Sequence, residues 1–174
     1  MQLLGIIISL LGGGVLALMV GRQSAAASRW LSLVSLAVAS VFYASLWFDT
    51  TDPQATSLWL LHMDWPWIAR FGIHLLLATD GLSLVLIGLT LVLGYVALLS
   101  AWHEINHRSG LFYLNFLFTL AGVVGVFSAL DLFLFFVFWE VMLVPMFLII
   151  AIWGHEGRRY APPSFLSIPK PVAY

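Results

Sequence analysis

Five stretches of about 20 mostly apolar residues run along the chain, and they constrain its fold more than any other feature. A transmembrane helix needs about 20 consecutive apolar residues to cross the hydrocarbon core of a bilayer, which is roughly 30 Å thick. Soluble domains average about 45–50% apolar and about 25% charged residues, whereas this chain has 62% and 9%. The sequence therefore predicts an all-α integral membrane protein. Its predicted spans are residues 3–20, 30–48, 81–101, 110–129 and 132–153.

Polar residues mark the points at which the later spans begin. Asp80-Gly81 opens the third span, Ser109-Gly110 the fourth and Asp131 the fifth. A carboxylate in this position accepts hydrogen bonds from the free N–H groups of the first helical turn, and it also interacts favourably with the helix dipole. We therefore expect Asp80 and Asp131 to cap the helices that follow them.

The basic residues predict the orientation of the chain in the membrane. With five spans, six of the seven Lys and Arg residues fall on one side, and only Arg70 falls on the other. Cytoplasmic loops carry an excess of Lys and Arg. The sequence therefore predicts an N-terminus outside and a C-terminal tail in the cytoplasm. The outer loop, 49–79, contains the run 71–76, which is expected to form a short strand or hairpin against the membrane surface.

Several classes of site are disfavoured by the composition. A net charge of −1 gives no basic surface for nucleic acid, and without cysteine or a Gly-rich phosphate loop the chain is expected to bind no NADH, flavin or iron–sulfur cluster. The spacing of His62 and His74 fits no standard metal site. His103, Glu104 and His107 would share one helical face at the end of the third span. We interpret these three as a solvated helix end rather than as a metal site.

Glu140 is the residue that most strongly indicates a function. It lies nine residues after Asp131 in the apolar fifth span, which places it about 13 Å into the hydrocarbon. An acidic side chain at such a depth costs on the order of 2.5–3.5 kcal/mol on insertion scales, and such residues usually mark ion pathways or proton relays. The apolar surroundings favour the neutral acid, so the group would load and release a proton. The alternative is a protonated glutamate that makes one structural hydrogen bond between helices.

The neighbours of Glu140 strengthen the interpretation as a proton relay. Pro145 lacks an N–H, so the carbonyl of Val141 loses its helical donor and the helix can kink just past the glutamate. Apolar residues are expected on the same helical face as Glu140. These are Phe133, Phe136, Val137, Val144 and Phe147.

No cation accompanies Glu140 in the predicted membrane region, since every Lys and Arg falls in a loop or in the tail. Other spans offer it hydrogen bonds only. Intramembrane acids normally pair with a cation or line a hydrated path, so the partner is expected on polypeptide outside this sequence. The possible hydrogen-bonding residues are Tyr113, Asn115 and Thr119 of the fourth span, and Thr90 and Tyr95 of the third.

Three groups of residues give the chain a family resemblance from the first span to about Ala161. The sequence resembles the antiporter-like subunit M family (chain 4 in mitochondria) of NADH:quinone oxidoreductase, respiratory complex I. The stretch around Glu140 is shared with subunits of cation/proton antiporters. The residues that carry the resemblance are Trp65–Ile68 with Arg70–Ile73, Asp80–Leu84, and Asp131–Tyr160, the last including Phe138-Trp139-Glu140, Val144-Pro145 and Trp153-Gly154-His155.

The resemblance implies a mechanism, a set of partners and a location. In the family, quinone reduction elsewhere in the complex drives proton transfer through antiporter-like subunits, and the glutamate matched by Glu140 works with a lysine on a later helix. NADH, FMN, iron–sulfur clusters and quinone would be bound by partner subunits. The expected partners are other membrane-arm subunits and the lipid bilayer, and the expected location is the bacterial inner membrane as a multi-pass protein. Pro145 would be the helix kink beside the proton site.

The resemblance ends in the last residues of the chain. Family members continue through more helices, whereas residues 162–174 hold four of the seven prolines and are expected to form neither a span nor a regular helix. We therefore divide the chain into a transmembrane part, 1–161, and a Pro-rich tail, 162–174. A frameshift or truncation after Ala161 is the preferred explanation, and a genuine short chain is the alternative. Two other functional interpretations remain open: a subunit of a stand-alone sodium/proton antiporter, and a non-functional truncated product.

Overall fold

Five long helices and one β-hairpin make up the part of the chain that the structure, a computed structural model, describes: residues 1–49, 61–68, 73–105 and 107–154. All five helices are long and apolar enough to cross a membrane, which confirms the predicted number of spans. The tail 162–174 and the boundary at Ala161 lie outside the described residues. The helices are α1 (Gln2–Gly21), α2 (Ala25–Asp49), α3 (Gly81–Ser100), α4 (Ser109–Ser128) and α5 (Leu132–Trp153), and the strands are β1 (Leu61–Ile68) and β2 (Ile73–Thr79).

Helix α2 begins at Ala25, five residues before the predicted start of the second span. The Ser24 hydroxyl accepts a hydrogen bond from the Ala27 N–H at 3.4 Å, so a serine caps the first turn. Three alanines follow this serine, and alanine has the highest helix propensity. The helix therefore extends five residues beyond the start of the predicted span, and the polar Ser28 and Arg29 lie inside it.

Helix α4 is the centre of the bundle, because it contacts α1, α2, α3 and α5. Close contacts with two neighbouring helices fix the position of α4. Gly110 packs against α1, where an added Cβ would lie 2.9 Å from the Ala17 carbonyl oxygen, and a Cβ on Gly122 would lie 2.7 Å from the Met142 backbone nitrogen of α5. Small residues at such positions allow helix backbones to meet in a membrane, where packing contacts replace the hydrophobic driving force.

The buried side chains form two clusters at different levels of the bundle. The larger cluster joins all of the helices through residues such as Ile6, Leu36, Ile87, Leu117 and Phe138, and it includes Leu77 of the hairpin. The smaller cluster is built from Ala17, Leu98, Phe112 and Tyr113, with Trp153 packed against it. The second cluster lies where α1 and α3 end and α4 begins, so the two clusters fix both ends of the bundle.

The hairpin packs on the end of the bundle where α4 is joined to α5. Its strands are antiparallel, with Leu61 opposite Thr79, and the register shifts between Pro66 and Ile68. The Leu130 N–H donates to the Leu76 carbonyl at 3.0 Å, and Leu77 forms a bridge with Ala129. The expectation of a strand or hairpin within 71–76 is confirmed for residues 73–76, while Phe71 and Gly72 lie outside the described residues.

Asp80 and Asp131 cap α3 and α5, as the sequence predicts. The Asp80 carboxylate accepts from the Ser83 N–H at 2.7 Å, and the backbone hydrogen bond from Ser83 holds the pKa of this carboxyl below its ordinary value. The Asp131 carboxylate accepts from the N–H groups of Phe133 and Leu134 at 2.8 and 3.1 Å. The helix that carries Glu140 therefore has a fixed starting point beside the hairpin.

Replacing Asp131 by alanine is expected to lower the free energy of unfolding by about 1 kcal/mol, because two N–H groups of α5 lose their acceptor. Asp131→Asn keeps an acceptor oxygen and is expected to change the stability by less than about 0.5 kcal/mol. Thermal unfolding of the purified protein, measured by circular dichroism, compares the two variants. Equal losses in both variants would show that charge at this position, rather than capping, sets the stability.

A glutamate on the open face of the fifth helix

Glu140 lies on the face of α5 that points away from α4. Leu134, Phe138 and Pro145 are buried, whereas Glu140 is exposed in this chain. Four of the five apolar residues predicted on its face are exposed as well, which confirms the face predicted by helical periodicity for them, and the fifth, Val137, is half-buried. The four exposed residues are Phe133 at 47%, Phe136 at 57%, Val144 at 53% and Phe147 at 66% exposure. The glutamate therefore lies within an aromatic surface that the described part of the chain leaves uncovered.

The depth of Glu140 follows from the length of α5. The helix begins at Leu132 and ends at Trp153, so the glutamate lies about 13 Å from Asp131 and about 20 Å from the other end of the helix. Neither distance allows an extended carboxylate to reach the water beyond a bilayer about 30 Å thick. A carboxylate at this level needs a cation, a hydrogen-bond donor or bound water.

No residue in the described part of the chain forms a hydrogen bond or ion pair with Glu140. Four of the five polar side chains predicted as possible donors make hydrogen bonds elsewhere. Asn115 donates to the Leu111 carbonyl at 2.7 Å, Thr119 to the Asn115 carbonyl at 2.9 Å, and Thr90 to the Leu86 carbonyl at 2.8 Å. Tyr95 shares a hydrogen bond of 3.2 Å with Ser40. The fifth, Tyr113, is buried near Arg29, and its hydroxyl has no hydrogen-bond partner among the described residues.

Two glycines of α4 set the position of the glutamate-bearing segment. A Cβ on Gly122 would lie 2.9 Å from the Met142 Cα, and one on Gly125 would overlap the Phe138 ring. Phe138 and Met142 lie two residues to either side of Glu140, so α5 is pressed against α4 at the level of the acid. Sequence reasoning missed these contacts, although a pair of glycines three residues apart in an apolar span is a usable signal for close helix packing.

Pro145 lies inside α5 on its buried side, five residues after Glu140. Proline has no N–H, so the Val141 carbonyl has no helical donor one turn further along. The helix continues through the proline to Trp153. The ring of Pro145 packs inside the bundle, on a different face of α5 from Glu140. Any bend at the proline would therefore redirect the part of α5 between Pro145 and Trp153 and would leave the contact with α4 around Gly122 in place.

Arg29 departs from the prediction that every cation lies in a loop or in the tail. It belongs to α2, where its guanidinium donates to the Ile105 carbonyl at 3.1 Å and interacts with the hydroxyl of the buried Tyr113. These contacts lie at the turn between α3 and α4, the end of the bundle at which Trp153 also lies. Arg29 therefore connects α2 with α4 and with the turn between α3 and α4, at the end remote from the Asp131 cap, and does not pair with Glu140.

The predicted common helical face of His103, Glu104 and His107 is wrong. Helix α3 ends at Ser100, and residues 101–104 form a turn. The His107 carbonyl accepts a hydrogen bond from the Trp153 indole at 3.0 Å, which ties this connection to the end of α5. Within the described ranges, no three His, Cys, Asp or Glu side chains are grouped so as to hold a metal ion.

Known proteins from two bacteria are similar in sequence to most of this chain. NADH-quinone oxidoreductase subunit M of Pseudomonas aeruginosa is 45% identical over 166 residues, which cover 88% of this chain and 32% of the relative. Subunit M of Escherichia coli K12 is 43% identical over 149 residues, which cover 83% of this chain and 29% of the relative. The chain thus spans about a third of the length of these relatives. No protein-family model matches it.

The fold has a counterpart in a solved respiratory enzyme. A chain of respiratory complex I from Thermus thermophilus superposes with a TM-score of 0.69 and 23% sequence identity, over 95% of this chain and 32% of that chain. At this identity the likeness is one of fold. The five apolar helices of the described residues define the class as a multi-pass helical membrane protein. The sequence relationship is more specific: the chain is homologous to NADH-quinone oxidoreductase subunit M.

Proposed function

We propose that the chain acts in the membrane arm of a proton-translocating NADH:quinone oxidoreductase, and that it takes part in proton transfer coupled to electron transfer from NADH to quinone. The observation that carries this proposal is Glu140, an acid at mid-membrane depth on a face of α5 that no described residue covers. Homology to subunit M supports the assignment to this enzyme.

Glu140 is the proton-handling group of the proposal. A carboxyl in hydrocarbon carries a proton as a neutral acid, and it releases the proton only when a cation or water stabilises the carboxylate. A positive charge that moves next to Glu140 would therefore stabilise the carboxylate and release its proton. When the charge moves away, the carboxylate would take up a proton again. Family resemblance implies that a lysine on another helix supplies this charge, and the uncovered face around Glu140 is where such a helix would pack.

Pro145 and the Gly122 contact have complementary roles in this proposal. Gly122 lets the part of α5 that carries the acid pack closely against α4, where a Cβ added at Gly122 would lie 2.7 Å from the Met142 backbone nitrogen. Pro145 leaves the Val141 carbonyl without its helical donor, so α5 bends more easily between Glu140 and Trp153 than between Asp131 and Glu140. A bend between Glu140 and Trp153 would change access to the acid from one side of the membrane, while Glu140 itself would keep its position.

The proposed orientation has the N-terminus outside and the tail in the cytoplasm. Contacts between helix ends support it, because Gly21 at the end of α1 packs against Gly110 at the start of α4 and so brings Arg22 and Arg108 to one end of the bundle. Asp80 and Asp131 cap helices at the opposite end, beside the hairpin. The excess of basic residues then marks the cytoplasmic side of a bacterial inner membrane.

The chemistry of electron transfer belongs to other subunits in this proposal. NADH, FMN, iron–sulfur clusters and quinone would be held by those partners, and this chain contributes membrane helices and a proton site. The enzyme as a whole would be a translocase. Its other membrane-arm subunits and the surrounding lipid would be the direct neighbours of this chain, with no role for nucleic acid.

Deleting the gene from its native host is expected to reduce NADH-driven acidification of inverted membrane vesicles by at least about tenfold, with recovery when the gene is restored. Succinate-driven acidification bypasses NADH:quinone oxidoreductase and serves as the control. Fluorescence quenching of a pH-sensitive dye measures both. Loss of sodium/proton exchange with unchanged NADH-driven acidification would instead favour a stand-alone antiporter, and no change in either activity would indicate a non-functional product.

A further inference from the structure

A cavity of about 270 Å³ opens between the end of α1 and the start of α4. Arg22 and Arg108 both line it. The other lining residues are Gly21 and Gly110, where the two helices meet, and the apolar Leu18 and Leu111. None of these residues takes part in the proton site around Glu140, which lies on α5.

The two arginines bring positive charge to this cavity without a counter-charge from the chain. Both are exposed, and neither guanidinium has a hydrogen-bond or ion-pair partner among the residues that the structure describes. Arg29, by contrast, donates to the Ile105 carbonyl. Like charges that face one space repel each other, and an anion between them would remove this repulsion and accept hydrogen bonds from both forks.

Backbone contact holds the arginines in place. An added Cβ on Gly110 would lie 2.9 Å from the Ala17 carbonyl oxygen and 3.0 Å from the Gly21 Cα, so the two helices touch directly where they line the cavity. Arg22 is the residue after α1 and Arg108 the residue before α4. The separation of their Cα atoms is therefore set by two packed helices and not by flexible loops.

The position of the cavity identifies the source of the anion. Both apolar helices end here, so the cavity lies at the boundary between hydrocarbon and headgroups. Beside the two arginines it is lined by Leu18 and Leu111, two half-buried apolar side chains. A free phosphate would use only the two arginines, whereas a phospholipid would place its phosphate between the arginines and its first acyl carbons along Leu18 and Leu111.

We infer that this cavity is a binding site for the phosphate of an anionic phospholipid, held between Arg22 and Arg108. The site lies at the same end of the bundle as Arg29, so it adds a lipid contact to the proposed cytoplasmic surface. It would join α1 to α4 through a shared ligand and would stabilise the packing of the central helix. The inference stands independently of the proton-transfer role of Glu140.

The test uses the full chain, solubilised from its native membrane with any subunits that stay attached, then stripped of lipid and titrated with phosphatidylglycerol. Bound lipid per chain is quantified by mass spectrometry. Arg22→Gln/Arg108→Gln is expected to raise the apparent Kd by at least about tenfold, because it removes both charge-assisted contacts. Arg158→Gln/Arg159→Gln removes the same charge at other positions of the sequence and is expected to change the Kd by less than about twofold.

Three results would overturn the inference. Equal weakening in both double variants would show a general charge effect, and unchanged binding in Arg22→Gln/Arg108→Gln would show that the cavity is not the site. Displacement of the lipid by inorganic phosphate at equal concentration would show that the two arginines bind a free anion rather than a lipid phosphate. If the double variant does not fold, Arg22→Gln alone replaces it, since Arg22 is exposed and its side chain makes no hydrogen bond or ion pair with the described residues. An unchanged Kd in that variant also overturns the inference.

Discussion

Replacing Glu140 by glutamine is expected to lower NADH-driven proton translocation by at least about tenfold in the assembled enzyme. Glutamine keeps the size of the side chain and its hydrogen-bonding capacity, but it cannot bind and release a proton. The surrounding face of α5 offers no substitute, because its exposed neighbours Phe136 and Phe147 are apolar. Dye quenching in inverted vesicles, normalised to the amount of assembled enzyme, measures the loss.

Glu104→Gln is the matched control for this prediction. It makes the same chemical change in an exposed glutamate of the turn after α3, outside the helices. Its proton translocation is expected to stay within about twofold of the unmodified enzyme. Glu140→Asp keeps a titratable group on a side chain that is one methylene shorter, and intermediate activity is expected. Full activity in Glu140→Gln, with normal assembly, would reduce Glu140 to a structural hydrogen-bonding group.

A single methyl group at Gly122 is expected to displace α5 and with it Glu140. The added Cβ would lie 2.7 Å from the Met142 nitrogen and 2.9 Å from its Cα, and backbone atoms cannot rotate away as a side chain can. Gly122→Ala should therefore lower the free energy of unfolding by about 1–3 kcal/mol. It should also lower proton translocation by at least about tenfold, since a displacement of about 1 Å is enough to disturb a catalytic geometry.

Gly12→Ala is the control, because a Cβ on Gly12 would have nothing within 4 Å. The same substitution at this position of α1 should be neutral or slightly stabilising, since alanine has the higher helix propensity. Thermal unfolding and vesicle acidification are measured for both variants. If Gly122→Ala matches Gly12→Ala in both measurements, the close contact between α4 and α5 does not hold Glu140 in place.

Most of the fold is predictable from the sequence because the bilayer imposes a length and an apolar composition on each span. Asp80 and Asp131 mark the starts of α3 and α5 through a local interaction, which is why both caps are confirmed. Helix α2 begins before the predicted span because that apolar span starts only at Trp30, after the polar Ser28 and Arg29. Both polar residues lie within the helix and bond to partners remote in sequence, Ser28 to Ser109 and Arg29 to the Ile105 carbonyl.

The candidate site is predictable to a similar extent. Its depth follows from counting residues, and its apolar face follows from the helical period, as the exposed Phe133 and Val144 show. The contact between Gly122 and Met142 depends on which helices are neighbours, and composition and periodicity leave that order open. For the same reason the sequence indicates Asn115 as a possible hydrogen-bonding partner of Glu140, whereas the Asn115 amide donates to a carbonyl of its own helix.

The most direct test of the central claim is to observe Glu140 changing its protonation state during turnover. Infrared difference spectroscopy of the assembled enzyme, recorded before and after NADH is added, detects the carbonyl stretch of a protonated carboxyl group. The account predicts a carboxyl band in the difference spectrum that disappears in Glu140→Gln and persists in Glu104→Gln. An identical difference spectrum in Glu140→Gln and the unmodified enzyme would contradict it, because the proton would then be carried without Glu140.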